Sequence, residues 1–105
     1  MSEALPDFDE QDLLARAAQG DHRAFKRIFD AYQPRVYTFA LHYLRSTHLA
    51  EEAVQEVFVK LWRKGSTLTA INDLQQYIFR VARNHALDSL RRQAVRANID
   101  RKSVV

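Results

Sequence analysis

Apolar residues recur along most of this chain at steps of three and four, the period of helices that bury one face. From Asp21 onward, Phe25, Ile28, Phe29, Tyr32, Val36, Phe39, Ala40, Tyr43 and Leu44 keep that step. They predict a core helix of about five turns with Asp21 as its cap. Pro34 falls inside this stretch and removes one donor from the ladder, so a kink or a one-residue break is expected near Tyr32 to Gln33. Upstream, Leu13, Leu14, Ala17 and Ala18 form a shorter stripe, which predicts a helix from about Asp9 to Gln19, capped by Asp7 or Asp9 and stopped by Gly20. Downstream, Leu49, Ala53, Val54, Val57, Phe58, Leu61 and Trp62 predict a third helix from a Ser46 or Thr47 cap through Lys64, with Gly65 as its stop. A fourth helix, from about Leu74 to Gln93 or beyond, turns Leu74, Tyr77, Ile78, Val81, Ala82 and His85 inward. Between the last two, residues 65–72 show no helical period and read as a loop closing on an Asn72 or Asp73 cap.

Composition agrees with an all-α class. Two glycines and two prolines in 105 residues leave little from which to build hairpins, and the body is rich in Ala, Leu, Gln, Glu, Lys and Arg. The expected architecture is a compact bundle of about four helices around one core. The absence of cysteine removes disulfides, thiolate metal sites and cysteine nucleophiles, and fits a reducing compartment, so the cytoplasm is the expected location. No apolar run approaches the ~20 residues of a membrane span, and Met1 to Glu10 is acidic where a signal peptide would be basic and then apolar. No membrane association is expected.

Charge is distributed unevenly. Residues 1–21 carry net −5, residues 22–73 carry +3 and residues 74–105 carry +5. The cations of the last third are nearly all arginines, which pair with phosphate in a bidentate way; a solvated helix face would show the same composition. Enzyme signatures are missing. His22, His42, His48 and His85 form no His-x-x-x-His or Glu-x-x-His pair, and Gly20 and Gly65 make no phosphate-cradling loop. Neither a metal, a cofactor nor a catalytic site is therefore expected.

Two faces go beyond what a core requires. One is the outward side of the third helix, where Glu51, Glu52, Gln55 and Glu56 surround the apolar Val59. The other joins the loop at Leu68 to Ile71, read as exposed, to the arginine-rich fourth helix bearing Arg80, Arg83, Asn84, Arg91 and Arg92. Cations that hold phosphates beside apolar and amide groups that receive a base suit single-stranded nucleic acid. Asp88 is spaced to bridge Arg91 or Arg92 and so set their pose.

Three motifs in order then resemble one family. Leu14-Ala-Arg-Ala-Ala-Gln-Gly-Asp-His-Arg-Ala-Phe25 is similar to a Gly-Asp-x-x-Ala-Phe start. Ala50-Glu-Glu-Ala-Val-Gln-Glu-Val-Phe-Val-Lys-Leu-Trp62 is similar to Ala-Glu-Asp-x-x-Gln-Glu-x-Phe-x-x-x-Trp. Tyr77-Ile-Phe-Arg-Val-Ala-Arg-Asn-His-Ala-Leu-Asp-Ser-Leu-Arg-Arg92 is similar to Trp-Leu-x-x-Ile-Ala-x-Asn-x-x-x-Asp-x-x-Arg. Together they resemble region 2 of bacterial RNA polymerase sigma factors of the extracytoplasmic-function (ECF) group, over roughly residues 10–95.

The resemblance implies a non-enzymatic transcription initiation factor. Glu51, Glu52, Gln55, Glu56 and Val59 would meet the clamp helices of the largest catalytic subunit of core RNA polymerase. Leu68, Arg80, Arg83, Asn84, Arg91 and Arg92 would read the −10 promoter element, with Asn84 lining a pocket for a base flipped from the single-stranded non-template strand. It also implies an anti-sigma protein as a further partner and a monomer in isolation. Residues 1–9 would be an acidic tail, and residues 96–105 the start of a linker to a C-terminal helix-turn-helix domain, so the chain is expected to be a fragment of such a factor, the alternative being a truncated gene. Tyr77 stands where the family often has tryptophan, and Leu68 where an aromatic is frequent, so stacking on a base would be weaker. The alternatives from other classes are a helical protein-interaction adaptor using the acidic face, and a non-specific nucleic-acid-binding bundle using the arginines.

Overall fold

A computed structural model of the chain describes residues 9–103, with side-chain surroundings from residue 9 to 97. Within these residues the order is α1 Glu10–Ala18, α2 His22–Leu44, α3 Thr47–Arg63, a 3-10 helix Gly65–Ala70 and α4 Leu74–Ser103. The all-α class expected from the periodicity is what the chain adopts. Of the expected acidic tail, residues 1–8 lie outside the described residues, and Asp9 is the N-cap of α1, accepting the Asp12 N–H at 3.1 Å.

The caps explain where the helices begin. The Asp21 carboxylate accepts the N–H groups of Arg23 and Ala24 at 3.0 and 3.3 Å, satisfying two of the orphan donors at the start of α2. The Ala24 N–H, together with Arg16 at 3.2 Å, holds the Asp21 carboxyl below the usual carboxylate range. Ser46 Oγ accepts the Leu49 N–H at 3.1 Å and opens α3. Gly20 and Gly65, at φ 92° and 53°, supply the left-handed turns after α1 and α3.

Along α2 the buried residues are Ala24, Ile28, Tyr32, Val36, Ala40 and Leu44, one every fourth position. The break expected at Pro34 does not occur, because the helix runs unbroken from His22 to Leu44. Pro34 is exposed, and only one ladder donor is missing. Tyr32 and Val36, buried on either side of it, hold the rod to the core. Tyr43, expected inward, is 50% exposed.

The core gathers Leu14 of α1, Ile28 and Val36 of α2, Val57 and Leu61 of α3, Leu68, and Leu74 and Ile78 of α4. Phe25 meets Trp62 edge-on at 4.9 Å, and Phe29 meets Phe58 at 4.8 Å, tying α2 to α3. Toward the far end of the bundle, Ala40, Ala50, Ala53 and Ala86 keep α2, α3 and α4 in close approach.

The expected loop and its exposed apolar residues need correcting. Residues Gly65–Ala70 form a 3-10 helix that packs under α1, and Leu68 and Ile71 are buried at 0% and 8% exposure. Leu68 is a core residue and presents nothing to a ligand. At the start of α4, Asp73 accepts the Gln76 N–H at 3.0 Å, while Glu10 of α1 reaches across to accept the Leu74 N–H at 3.1 Å. From Arg91 to Ala97 every residue of α4 is exposed, so the helix leaves the bundle as a free rod. Among the described residues no helix is long and apolar enough to cross a membrane.

Candidate functional site

Burial of Ala50, Ala53, Val54, Val57, Phe58 and Leu61 fixes the rotation of α3 and turns the opposite side to solvent. That side carries Glu51, Glu52, Gln55 and Val59, all exposed, with Val59 at 44%. Glu52 sits 3.3 Å from His48 Nε2, one turn back. Glu56 is half-buried at the edge of this face, where α3 meets α4, and its Oε2 pairs with Lys60 Nζ at 3.3 Å. The acidic face expected from the sequence is therefore continuous, and its last carboxylate turns toward the neighbouring helix.

The rotation of α4 is set by buried Leu74, Ile78, Ala82, Ala86 and Ser89. Its outward stripe bears Arg80, Arg83, Asn84, Arg91 and Arg92, all exposed. Arg80 to Arg91 spans eleven positions, roughly 16 Å at the helical rise.

Two grooves flank this stripe. One, of about 490 Å³, lies between α3 and α4 and is lined by Glu56, Lys60, Asn84, His85, Leu87, Asp88, Arg91 and Arg92. The other, of about 290 Å³, lies where the 3-10 segment meets α4 and is lined by residues that include Lys64, Asn72, Tyr77 and Arg80. In it two cations approach the Tyr77 ring, Lys64 Nζ at 5.2 Å and the Arg80 guanidinium at 5.9 Å from its centre.

The structure thus brings Asn84, Arg91 and Arg92 into one cleft and puts Arg80 in the next, whereas Arg83 lines neither. Asp88 bridges Arg92 at 3.1 Å, the pose expected from their spacing, and Arg92 also reaches Ser89 Oγ at 3.4 Å. His85 lines the first cleft with its Nε2 buried and without a hydrogen-bond partner. Sequence reasoning missed Lys60 and Lys64. For Lys60 the usable signal was its i, i+4 spacing from Glu56.

Among the described residues no group of three His, Cys, Asp or Glu side chains converges to hold a metal ion. The arrangement puts an acidic face and an arginine stripe on adjoining helices that meet at a shared cleft. The Sigma-70 region 2 family profile matches residues 28–96. The chain is 32% identical over 80 residues to the ECF RNA polymerase sigma factor SigK of Mycobacterium tuberculosis, covering 75% of this chain and 43% of that protein. To the ECF RNA polymerase sigma factor SigW of Bacillus subtilis it is 25% identical over 80 residues, covering 76% and 43%. The chain belongs to the sigma-70 region 2 family, in its ECF group. It spans about 43% of the length of these relatives. No solved structure matches it.

Proposed function

We propose that this chain is the part of a transcription initiation factor that docks on core RNA polymerase through α3 and reads the −10 promoter element through α4. The observation that carries the reading is the adjacency of the two faces in a member of this family. Glu51, Glu52, Gln55, Glu56 and Val59 offer carboxylates around one apolar contact, a pattern suited to a cationic and apolar helical partner such as the polymerase clamp helices. On α4, Arg80, Arg91 and Arg92 hold phosphates of the non-template strand, and Arg83 adds positive potential beside them. Asn84, on the wall of the α3/α4 cleft, offers both an acceptor and donors to the edge of an unstacked base. With Leu68 buried, Tyr77, which shares a groove with Lys64 and Arg80, is the aromatic offered to a base.

Nothing in these roles calls for catalysis by this chain, and the expected place of action is the cytoplasm. An anti-sigma protein would act by covering either face.

The test is the double variant Gln55→Ala with Glu56→Ala, titrated against core RNA polymerase. Both side chains lie on the docking side of α3, so polymerase affinity falls while helicity by circular dichroism stays at the wild-type value. Unchanged affinity, or a loss of affinity matched by a loss of helicity, contradicts the docking assignment.

A further inference from the structure

Glu56 occupies two roles at once. It belongs to the acidic face of α3, and it also lines the α3/α4 cleft, where it pairs with Lys60 at 3.3 Å. Lys60 lines the same cleft as Asn84, Arg91 and Arg92. The cleft therefore contains three cations and two carboxylates. Asp88 occupies Arg92 and Glu56 occupies Lys60, and Arg91 has no carboxylate partner among the described residues.

The Glu56 and Lys60 side chains remain 39% and 53% accessible, so water screens the bridge and it is weak and exchangeable. A cationic partner group arriving at Glu56 competes directly with Lys60 for the same carboxylate. Once displaced, the Lys60 ammonium is left beside Asn84 and Arg91, without its counter-charge and on a flexible stem.

We propose that Lys60 is a further phosphate-binding residue of the nucleic-acid surface, masked by Glu56 in the free domain and released when a cationic partner takes Glu56. The inference rests on the docking and DNA-reading roles proposed above, and it couples them. Docking on the polymerase adds one cation to the strand-binding cleft, so binding at one face raises affinity at the other, and the reverse holds by linkage. The second bridge, Asp88–Arg92, lies within α4 and off the docking face, so docking does not release it.

The experiment measures binding of the full chain to a fluorescent single-stranded −10-like oligonucleotide, with and without core RNA polymerase, across a salt series. In the free domain, Glu56→Gln raises affinity by roughly 1.5- to 5-fold, the range set by the strength of exposed ion pairs. It also steepens the slope of log affinity against log salt by about 0.7, the increment for one phosphate contact on a single strand. Asp30→Asn changes net charge equally, but Asp30 pairs with Lys26 on α2, outside the cleft and the docking face, and it leaves that slope at the wild-type value. Lys60→Gln lowers affinity less in the free domain than in the polymerase-bound state. The double variant Glu56→Gln with Lys60→Gln binds as Lys60→Gln does.

Equal gains from Glu56→Gln and Asp30→Asn, or a Glu56→Gln gain that survives removal of Lys60, overturn the masking. A Lys60→Gln effect that is the same with and without polymerase overturns the coupling. If the wild-type chain binds the oligonucleotide in neither state, the DNA-reading role itself fails, and the inference fails with it.

Discussion

Replacing Leu68 by alanine separates a core role from a base-reading role for the segment between α3 and α4. Leu68 is fully buried in the main cluster, within a 3-10 helix that α1 covers. Truncation removes three carbons, worth roughly 2.4 kcal/mol at ~0.8 kcal/mol per buried methylene. A six-residue segment held between α1 and α3 collapses only partly into the space, so the cavity raises the loss to about 3 to 4 kcal/mol. Domains of this size are stable by about 5 to 15 kcal/mol, so the variant still folds in the cold but melts roughly 12 to 32 °C lower. Urea unfolding followed by far-ultraviolet circular dichroism measures this as a midpoint lower by about 2 M at a typical slope. Measured below the melting transition, the base preference of the remaining folded protein is unchanged. A stability loss under about 1 kcal/mol accompanied by a changed base preference would refute the reasoning and return Leu68 to the binding surface.

The caps and the arginine stripe lead to three further outcomes. Ser46→Ala removes the acceptor of the Leu49 N–H and lowers stability by about 1 kcal/mol, read as a fall in melting temperature of roughly 4 to 8 °C. The depressed Asp21 carboxyl contributes stability that is complete above its unfolded pKa of about 3.9 and is lost as pH falls through its lower folded value. Asp21→Asn, which can still cap, therefore shows a shallower loss of melting temperature than the wild type as pH falls below about 4. Arg91→Ala with Arg92→Ala weakens oligonucleotide binding equally for all sequences and reduces the salt slope by about 0.7 to 1.4, one phosphate contact for Arg91 and at most a second for Arg92, which Asp88 pairs. A sequence-dependent loss would reverse that assignment.

Most of the helical frame was legible because each signal was local. Asp21, Ser46 and Asp73 lie beside the backbone donors they cap, and the stripe from Ala24 to Leu44 repeats within one element. Pro34 does not break the helix: the cost of its missing donor is local, whereas the burial of Tyr32 and Val36 on either side is tertiary. The segment after Gly65 misled for a related reason. Leu68 and Ile71 are three apart, the period of a 3-10 turn, but six residues are too few to display a stripe. Their burial depends on α1, far upstream in the chain. Both faces of the candidate site were visible as residue types at helical spacing. Their meeting was not, since only the packing of α3 on α4 brings Glu56 and Lys60 to the wall that carries Asn84 and Arg91.

Base reading through Asn84 is the role on which the promoter-recognition proposal stands. Fluorescence anisotropy tests it most directly, with the chain bound to core RNA polymerase and titrated against short single-stranded oligonucleotides that differ at one −10-like position. The expected result is a preference of more than about 1 kcal/mol, roughly fivefold, for one base, abolished by Asn84→Ala while polymerase affinity is retained. Equal binding of all four bases, or a preference that persists in Asn84→Ala, would contradict it.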